Sequence, residues 1–318
     1  MMIQTYTENI GRQLPYDVVI PTDIRNAKFV GTVVKYIRLN MVDARHIYVI
    51  AKKSIFEKIA KHTHGQDVTL LDENALVEGL SFTEVHRYLT VAGRDSINGV
   101  GWYFQQFLKF AFGLTPYCDG YYLTWDSDTL PVSKLHFFQD GQPLFTMKKE
   151  YHRPYFDTLV RLLDMDKTSP KSFIAEHMLF NPEFLREMIA DIEHSSVKGS
   201  NWVEKIVNAC DFSDNSVYFS EFETYGTYCT IKHPGFYGEQ YLNTFRGAAV
   251  IQGRKVDENL IVNLARDVDI ASFELSDTRF PHNWEKKKYQ WKGYIKRLRS
   301  VSFTKGVRII LSYLTNKA

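Results

Sequence analysis

Short blocks of apolar residues along the first third of the chain alternate between two periods. Residues 16–20 (YDVVI) form a β-rich run that Pro21 ends, and residues 28–39 then place apolar side chains at helical intervals. The same order of strand, helix and strand returns in residues 46–50, 53–61 and 67–71. Strands and helices that alternate in this way predict an α/β fold with a mainly parallel, doubly wound, Rossmann-like sheet and helices on both faces. Ligands of such sheets bind beyond the carboxyl ends of the strands.

The later part of the chain continues with both kinds of element. Asn181 before Pro182 is typical of a helix start, and Ser220 with Glu223 forms a capping-box pattern that places the first helical residue at Glu221. Further helices are predicted over residues 102–112, 154–163, 182–194, 202–210 and 258–265. Strands are predicted over residues 120–125, 248–251 and 268–275.

Composition excludes several classes of protein. With 318 residues and 44% apolar residues the chain can bury a full core, which excludes a disordered or disulfide-stapled protein. The odd number of cysteines and their spacing indicate reduced thiols and a reducing cytoplasm. The first residues do not resemble a signal peptide, and no apolar run approaches the roughly 18 residues that cross a bilayer.

Charge is distributed unevenly along the chain. The formal net charge is +2, but residues 285–318 contain ten basic residues and one acid, and the remaining 29 basic and 36 acidic residues give a body of −7. A boundary near Pro281 therefore predicts a domain over residues 1–283 and a basic amphipathic helical tail over residues 284–318. Apolar side chains between the cations indicate a tail that lies on an anionic membrane at the cytoplasmic face.

Two other interpretations of the tail are a helix packed on the acidic body and an RNA-binding segment. The acidic body and the lack of a nucleic-acid motif argue against nucleic acid as the main partner.

Asp126-Ser127-Asp128 directly follows the apolar run at residues 120–125. Two carboxylates at positions i and i+2 on a turn can share one divalent cation, and that cation can hold a diphosphate. This is the DxD arrangement. The alternative is a solvated turn in which the aspartates cap backbone amides.

Five segments occur in a fixed order around this turn: residues 16–22 (YDVVIPT), 101–109 (GWYFQQFLK), 121–131 (YYLTWDSDTLP), 176–180 (EHMLF) and 219–226 (FSEFETYG). Together they resemble the DUF6492-like, bacterial and viral glycosyltransferase-like proteins of the GT-A fold. The resemblance covers residues 16–283. It implies transfer of a sugar from a nucleotide-sugar donor, with Mn²⁺ or Mg²⁺ at the DxD.

The metal and the donor nucleotide are expected at the carboxyl edge of the sheet. Asp126 and Asp128 are the expected metal ligands, and His282 is either a further ligand or a surface histidine. The donor nucleotide is expected at the exit of the first strand, in contact with Pro21, Thr22 and Asp23. Thr22 and Asp23 could instead cap the following helix.

Gln105 and Lys109 are expected to share one helical face, and Lys109 is expected to reach a phosphate or the sugar. A solvated lysine is the alternative. Glu221 is the expected general base, because the capping box occupies Glu223 and leaves Glu221 free to point into the cleft. The alternative for Glu221 is a carboxylate that only complements the helix dipole.

His177 and Tyr225 are the candidates for the acceptor side, with a hydrogen-bonded core histidine as the alternative for His177. The function expected from these residues is a metal-dependent, inverting glycosyltransferase. Its acceptor would be a surface polysaccharide, a lipopolysaccharide or a lipid-linked glycan at the inner face of the membrane. A nucleotidyltransferase or phosphotransferase that uses the same aspartates, and a non-catalytic sugar-nucleotide-binding module, are the competing interpretations.

Overall fold

The computed structural model describes residues 13–94, 99–214 and 216–275. The predictions for His282, for the boundary near Pro281 and for the tail over residues 284–318 lie outside the described residues. The chain divides into two compact units. Among the described residues, the first comprises 13–94, 99–214, 216–245 and 258–272, and the second comprises 246–257 and 273–275.

A central sheet organises the first unit. In the described part of the chain it has five strands in the order β3-β2-β1-β4-β8: β1 (Tyr16–Pro21), β2 (Ala44–Ala51), β3 (Thr69–Asp72), β4 (Tyr122–Trp125) and β8 (His177–Phe180). The pairs formed by β1, β2, β3 and β4 are parallel, whereas β8 runs antiparallel to β4. The expectation of a mainly parallel α/β sheet is confirmed, and the antiparallel edge strand is an addition to it.

Both faces of this sheet are covered by helices. Every residue of β1 is buried, and its side chains point alternately to the two faces. Val19 belongs to the large core cluster that includes helix α4 (Val100–Phe112), whereas the equally buried Val18 and Ile20 lie outside that cluster. Helix α1 (Val30–Asn40) contacts β2, and α4 contacts β1. The run of apolar residues after Asp17 in this strand is therefore explained by burial on both sides.

Most other helices of the first unit agree with the predicted ones to within a few residues: α2 (Phe56–His62) after a 3₁₀ turn at Lys53–Ile55, α5 (Arg153–Leu163), α6 (Pro182–His194), α7 (Trp202–Ala209), α8 (Glu221–Lys232) and α10 (Glu258–Leu264). Helix α3 (Phe82–Val91) was not predicted from the sequence. Both predicted caps are confirmed. The Asn181 side chain accepts from the backbone N–H groups of Glu183 and Phe184, and Ser220 Oγ accepts from the Glu223 N–H.

Short strands form two further sheets in the described residues. One has the order β10-β11-β5 and the other β6-β7-β9, built from β5 (Thr129–Pro131), β6 (Phe138–Gln139), β7 (Gln142–Thr146), β9 (Gly238–Gln240), β10 (Thr244–Phe245) and β11 (Ile270–Ser272). The strand predicted over residues 248–251 is wrong. In the second unit this segment is helix α9 (Ala248–Gln252), which ends at Gly253 with a φ of 73°.

Cys118, Cys210 and Cys229 are free thiols, as expected from their number. Across residues 13–94, 99–214 and 216–275, no helix combines the length and apolar character needed to cross a membrane.

Candidate functional site at the carboxyl edge of the sheet

The exits of β1 and β4 are joined at the carboxyl edge of the central sheet. Asn26, in the turn after β1, donates from Nδ2 to Ser127 Oγ at 3.0 Å and to Asp128 Oδ2 at 3.5 Å. The two strands are parallel neighbours, so their carboxyl ends meet at one edge. The structure therefore brings the DxD turn next to the segment that was expected to hold the donor.

Asp23 stabilises the turn after β1 rather than the helix that follows. Its Oδ1 accepts from the backbone N–H groups of Arg25 at 2.8 Å and Asn26 at 3.3 Å. Helix α1 begins at Val30 without a side-chain cap, so the alternative that Thr22 or Asp23 caps it is wrong.

Pro21 and Thr22 are buried at the exit of β1. Thr22 Oγ1 has no hydrogen-bond partner within the described part of the chain, which leaves one polar atom to be satisfied at this edge. Contact of Pro21, Thr22 and Asp23 with a donor nucleotide stays a prediction.

Lys109 lies at the centre of a buried ionic cluster. Its side chain is only 6% exposed, and Nζ lies 3.1 Å from Asp126 Oδ1 and 2.7 Å from Glu221 Oε1. The same ammonium lies 4.3 Å from the ring centroid of Phe222. The alternative of a solvated lysine is therefore wrong, and Lys109 joins α4 to the β4 exit and to the start of α8.

Burial and charge act in opposite directions in this cluster. Burial lowers the pKa of the Lys109 ammonium, but the carboxylates of Asp126 and Glu221 raise it more, so the net pKa lies above its ordinary value. Burial raises the pKa of Glu221 and Lys109 opposes that change, which leaves the pKa of this carboxyl above its ordinary value. Lys109 is thus a charged group in the interior at neutral pH.

The two glutamates at the start of α8 have different surroundings from those expected. Glu221 is buried against Lys109, so the prediction that it points freely into a cleft is wrong. Glu223 Oε1 accepts from Ser172 Oγ at 2.6 Å and from the Phe173 N–H at 3.3 Å. The Glu223 side chain therefore holds the segment before β8, while its backbone N–H donates to Ser220 Oγ.

Gln106, and not Gln105, is the α4 amide that contacts α8. Gln106 is buried and its Oε1 accepts from the Glu221 N–H at 3.1 Å, whereas Gln105 is half-buried. Sequence spacing placed Gln105 and Lys109 on one face but could not show which of two adjacent glutamines faces the next helix.

The two expected acceptor-side residues lie in the interior. His177 Nε2 is 2.8 Å from Thr146 Oγ1, and the imidazole stacks on Trp125 with ring centroids 5.0 Å apart. Burial lowers the pKa of His177 to about 4, so the ring is neutral at pH 7. Tyr225 is fully buried, and its hydroxyl donates to the Asn181 carbonyl at 3.2 Å. The alternative of a hydrogen-bonded core histidine is confirmed. A contact of His177 or Tyr225 with an acceptor stays a prediction.

The backbone of Asp126 bonds to Glu176, a residue to which sequence reasoning assigned no role. The Asp126 N–H donates to the Glu176 carbonyl at 3.0 Å, across the antiparallel pair of β4 and β8. Glu176 is buried, and Thr244 Oγ1, which accepts from Lys148 at 2.7 Å, donates to Glu176 Oε2 at 3.4 Å. Glu176 belongs to the EHMLF block, which was the only signal for it.

The DxD turn offers a suitable but incomplete ligand set for a metal. Two carboxylates match the oxygen ligands that Mg²⁺ and Mn²⁺ prefer, and the Asp126 side chain is 29% exposed. Among the described residues no group of three or more His, Cys, Asp or Glu side chains could hold a metal ion. Asp126 and Asp128 therefore fit a cation that completes its coordination with other oxygen atoms, such as those of a diphosphate or water.

Residues 18–243 match DUF6492, which is described as a family of unknown function. The chain belongs to this family. It has no match among curated proteins.

Solved structures similar to this chain include those of glycosyltransferases. The galactosyltransferase LgtC in complex with donor and acceptor sugar analogues is 13% identical with a TM-score of 0.41, over 85% of this chain and 94% of LgtC. Mouse xyloside xylosyltransferase 1 is 12% identical with a TM-score of 0.45, over 84% of this chain and 100% of the mouse protein. The bifunctional glycosyltransferase WbbM is 15% identical with a TM-score of 0.39, over 82% of this chain and 46% of WbbM.

Proposed function

We propose that this protein is a GT-A-type glycosyltransferase that moves a sugar from a nucleotide-diphosphate sugar and uses Mn²⁺ or Mg²⁺ at Asp126 and Asp128. The observation that carries the proposal is the junction of the DxD turn with the exit of β1 through Asn26. This edge is where parallel α/β sheets bind their ligands. The five ordered sequence blocks that resemble glycosyltransferase-like proteins add support, because four of them supply side chains at this edge.

Each residue has a defined task in this proposal. The carboxylates of Asp126 and Asp128 would hold the cation, and the Asn26 amide keeps the Asp128 side chain against the β1 exit. A divalent cation bound there would neutralise the charge that develops on the departing nucleoside diphosphate. The turn stabilised by Asp23 presents the backbone after β1 to the nucleotide.

The stereochemical course depends on Glu221. An inverting transfer needs a base next to the acceptor hydroxyl, and Glu221 is buried with Oε1 held by Lys109. Inversion through Glu221 therefore requires this ion pair to open when donor and acceptor bind. The anomeric configuration of the first product, determined by NMR, distinguishes inversion from retention.

The proposed acceptor is a surface polysaccharide, a lipopolysaccharide or a lipid-linked glycan. The basic character of residues 284–318 supports a location on an anionic membrane, because each Lys or Arg near such a surface contributes about 1 kcal/mol. The expected result for the full-length protein is sedimentation with anionic liposomes that weakens with added salt. Equal recovery with neutral and anionic liposomes would contradict this part of the proposal.

The test of the reaction is product analysis. The protein is incubated with a panel of nucleotide-diphosphate sugars and Mn²⁺, and the nucleotide product is separated by chromatography. We expect release of a nucleoside diphosphate that stops when the metal is chelated. Release of pyrophosphate would indicate nucleotidyl transfer, and metal-dependent binding without any turnover of donor or acceptor would indicate a binding module.

A further inference from the structure

One buried ammonium is shared by two carboxylates from distant parts of the chain. Lys109 on α4 lies 2.7 Å from Glu221 Oε1 on α8 and 3.1 Å from Asp126 Oδ1 at the β4 exit. Phe222 packs against Nζ, and the Tyr122 hydroxyl donates to the Lys109 carbonyl at 3.0 Å, so both the ammonium and the backbone of this residue are held in place. With a side-chain exposure of 6%, Lys109 acts on the site through its partners rather than by contact with a donor.

We propose that Lys109 is a positioning residue whose ammonium competes with the divalent cation for the Asp126 carboxylate, and that Glu221 weakens this competition by sharing the ammonium. The inference rests on the proposed function in one respect, because it takes Asp126 as a metal ligand. It changes the role expected for Lys109, from a contact with the donor to an internal counter-ion.

The physical basis is the arrangement of three charges. A carboxylate that already faces an ammonium binds a second cation less tightly, because the two cations repel each other across the shared oxygen atoms. Glu221 is the nearer partner of Lys109 and removes part of that positive charge from Asp126. Loss of the Glu221 charge leaves Lys109 paired with Asp126 alone within this cluster, and loss of both charges removes the competitor.

The test measures Mn²⁺ binding alone, without donor or turnover. Full-length wild type and variants are titrated with Mn²⁺, and the free ion is followed by electron paramagnetic resonance. Glu221→Gln is expected to weaken Mn²⁺ binding by about tenfold, because a full charge is lost beside a partly buried ion pair. The double variant Lys109→Met/Glu221→Gln is expected to bind Mn²⁺ at least as tightly as the wild type.

The matched control is Glu223→Gln. Glu223 lies two residues along the same helix, but its Oε1 bonds to Ser172 and Phe173, so Mn²⁺ affinity is expected to change by less than about twofold. Thermal unfolding of each variant shows that the folded protein is being compared. If Lys109→Met/Glu221→Gln does not fold, Lys109→Gln/Glu221→Gln replaces it, since two amides can still hydrogen-bond in the same space.

Two results would overturn the inference while the proposed function stands. In the first, Glu221→Gln binds Mn²⁺ as tightly as the wild type. In the second, Lys109→Met/Glu221→Gln binds Mn²⁺ as weakly as Glu221→Gln. Asp126→Asn separates this failure from a failure of the metal site. If Asp126→Asn leaves Mn²⁺ affinity unchanged, Asp126 is not a ligand, and both the metal part of the proposed function and the inference are wrong.

Discussion

The two edges of the central sheet each carry an ionic cluster of one cation and two carboxylates, and the clusters differ in how the cation is shared. At the amino edge, the buried Asp17 carboxylate accepts from Arg45 Nε and Nη2, each at 3.1 Å, and from the His46 N–H at 3.3 Å. Arg45 also reaches the exposed Asp119 at 2.7 Å. At the carboxyl edge, the single ammonium of Lys109 faces two carboxylates, and Asp128 lies two residues further along.

This difference indicates that the Asp17 cluster stabilises the fold, whereas the Lys109 cluster is arranged to bind a ligand. Asp17 has its charge matched by a guanidinium and a backbone N–H, which is the condition under which a buried carboxylate is tolerated. At the carboxyl edge, Asp128 adds a further carboxylate next to the two that share the Lys109 ammonium, and this excess negative charge attracts an external cation. The second carboxylate of the amino-edge cluster, Asp119, is 68% exposed, so water and salt screen its charge.

The largest effect is expected when the amino-edge cluster is broken. Asp17→Ala removes the buried partner of Arg45, and we expect a loss of about 3 kcal/mol in the free energy of unfolding, measured with urea. Mn²⁺ affinity of the folded protein should stay as in the wild type. Asp119→Ala is the control, because this partner is exposed and its removal should cost much less. Loss of Mn²⁺ binding with Asp17→Ala would show that the two edges are coupled.

A second effect appears on acidification. Burial lowers the pKa of His177 to about 4, below its ordinary value of about 6.5. Between these pH values the imidazole is protonated in the unfolded chain but neutral in the folded protein. Stability is therefore intact above the ordinary pKa and is lost as the pH falls toward 4, by about 3 kcal/mol for this group.

His177→Gln should reduce the slope of stability against pH in this window, as measured by urea unfolding at several pH values. His64→Gln, at an exposed position, is the control. An unchanged slope in His177→Gln would mean that other groups cause the acid sensitivity.

The smallest expected effect concerns Glu73, directly after β3 at the carboxyl edge. Burial, together with Asp72, raises the pKa of this half-buried carboxyl to about 7. Ionisation of Glu73 above pH 7 therefore costs stability that is present at low pH. Glu73→Gln should stabilise the protein at pH 8 by about 1 kcal/mol, allowing for solvent screening, and this gain should vanish toward pH 4.5.

Unfolding curves of Glu73→Gln and of the exposed control Glu78→Gln at both pH values provide the check. An equal gain in stability in the two variants would show that the gain comes from the change in net charge and not from the position of Glu73 at the carboxyl edge.

Local patterns were sufficient for much of the fold. The β-rich run ended by Pro21 and the caps at Asn181 and Ser220 correspond to observed element ends, because these signals depend on neighbouring residues only. Residues 248–251 were predicted wrongly because a run of four apolar residues fits a strand or a helical turn equally well. The antiparallel direction of β8 depends on the path of the intervening chain, which local periodicity does not encode.

The acidic turn of the site could be predicted from the sequence, but the residues that contact this turn could not. Asp126 and Asp128 were visible as neighbours after an apolar run, whereas Lys109 meets Glu221 across 112 residues of sequence. No helical spacing reveals such a contact, so the sequence did not show that Lys109 is an internal partner of Glu221. Asn26, which ties the two strand exits together, was missed for the same reason, since its partners lie about a hundred residues away.

The central claim is that the DxD turn binds a divalent cation that in turn holds a diphosphate. The most direct measurement is calorimetric titration of wild type and Asp128→Ala with nucleoside diphosphates, each with and without Mn²⁺. We predict that the wild type binds one of them only with Mn²⁺. We also predict that Asp128→Ala weakens this binding by about 100-fold with unchanged thermal unfolding, because a turn carboxylate contributes little to the core. Equal affinity of the folded variant and the wild type in the presence of Mn²⁺ would contradict the account.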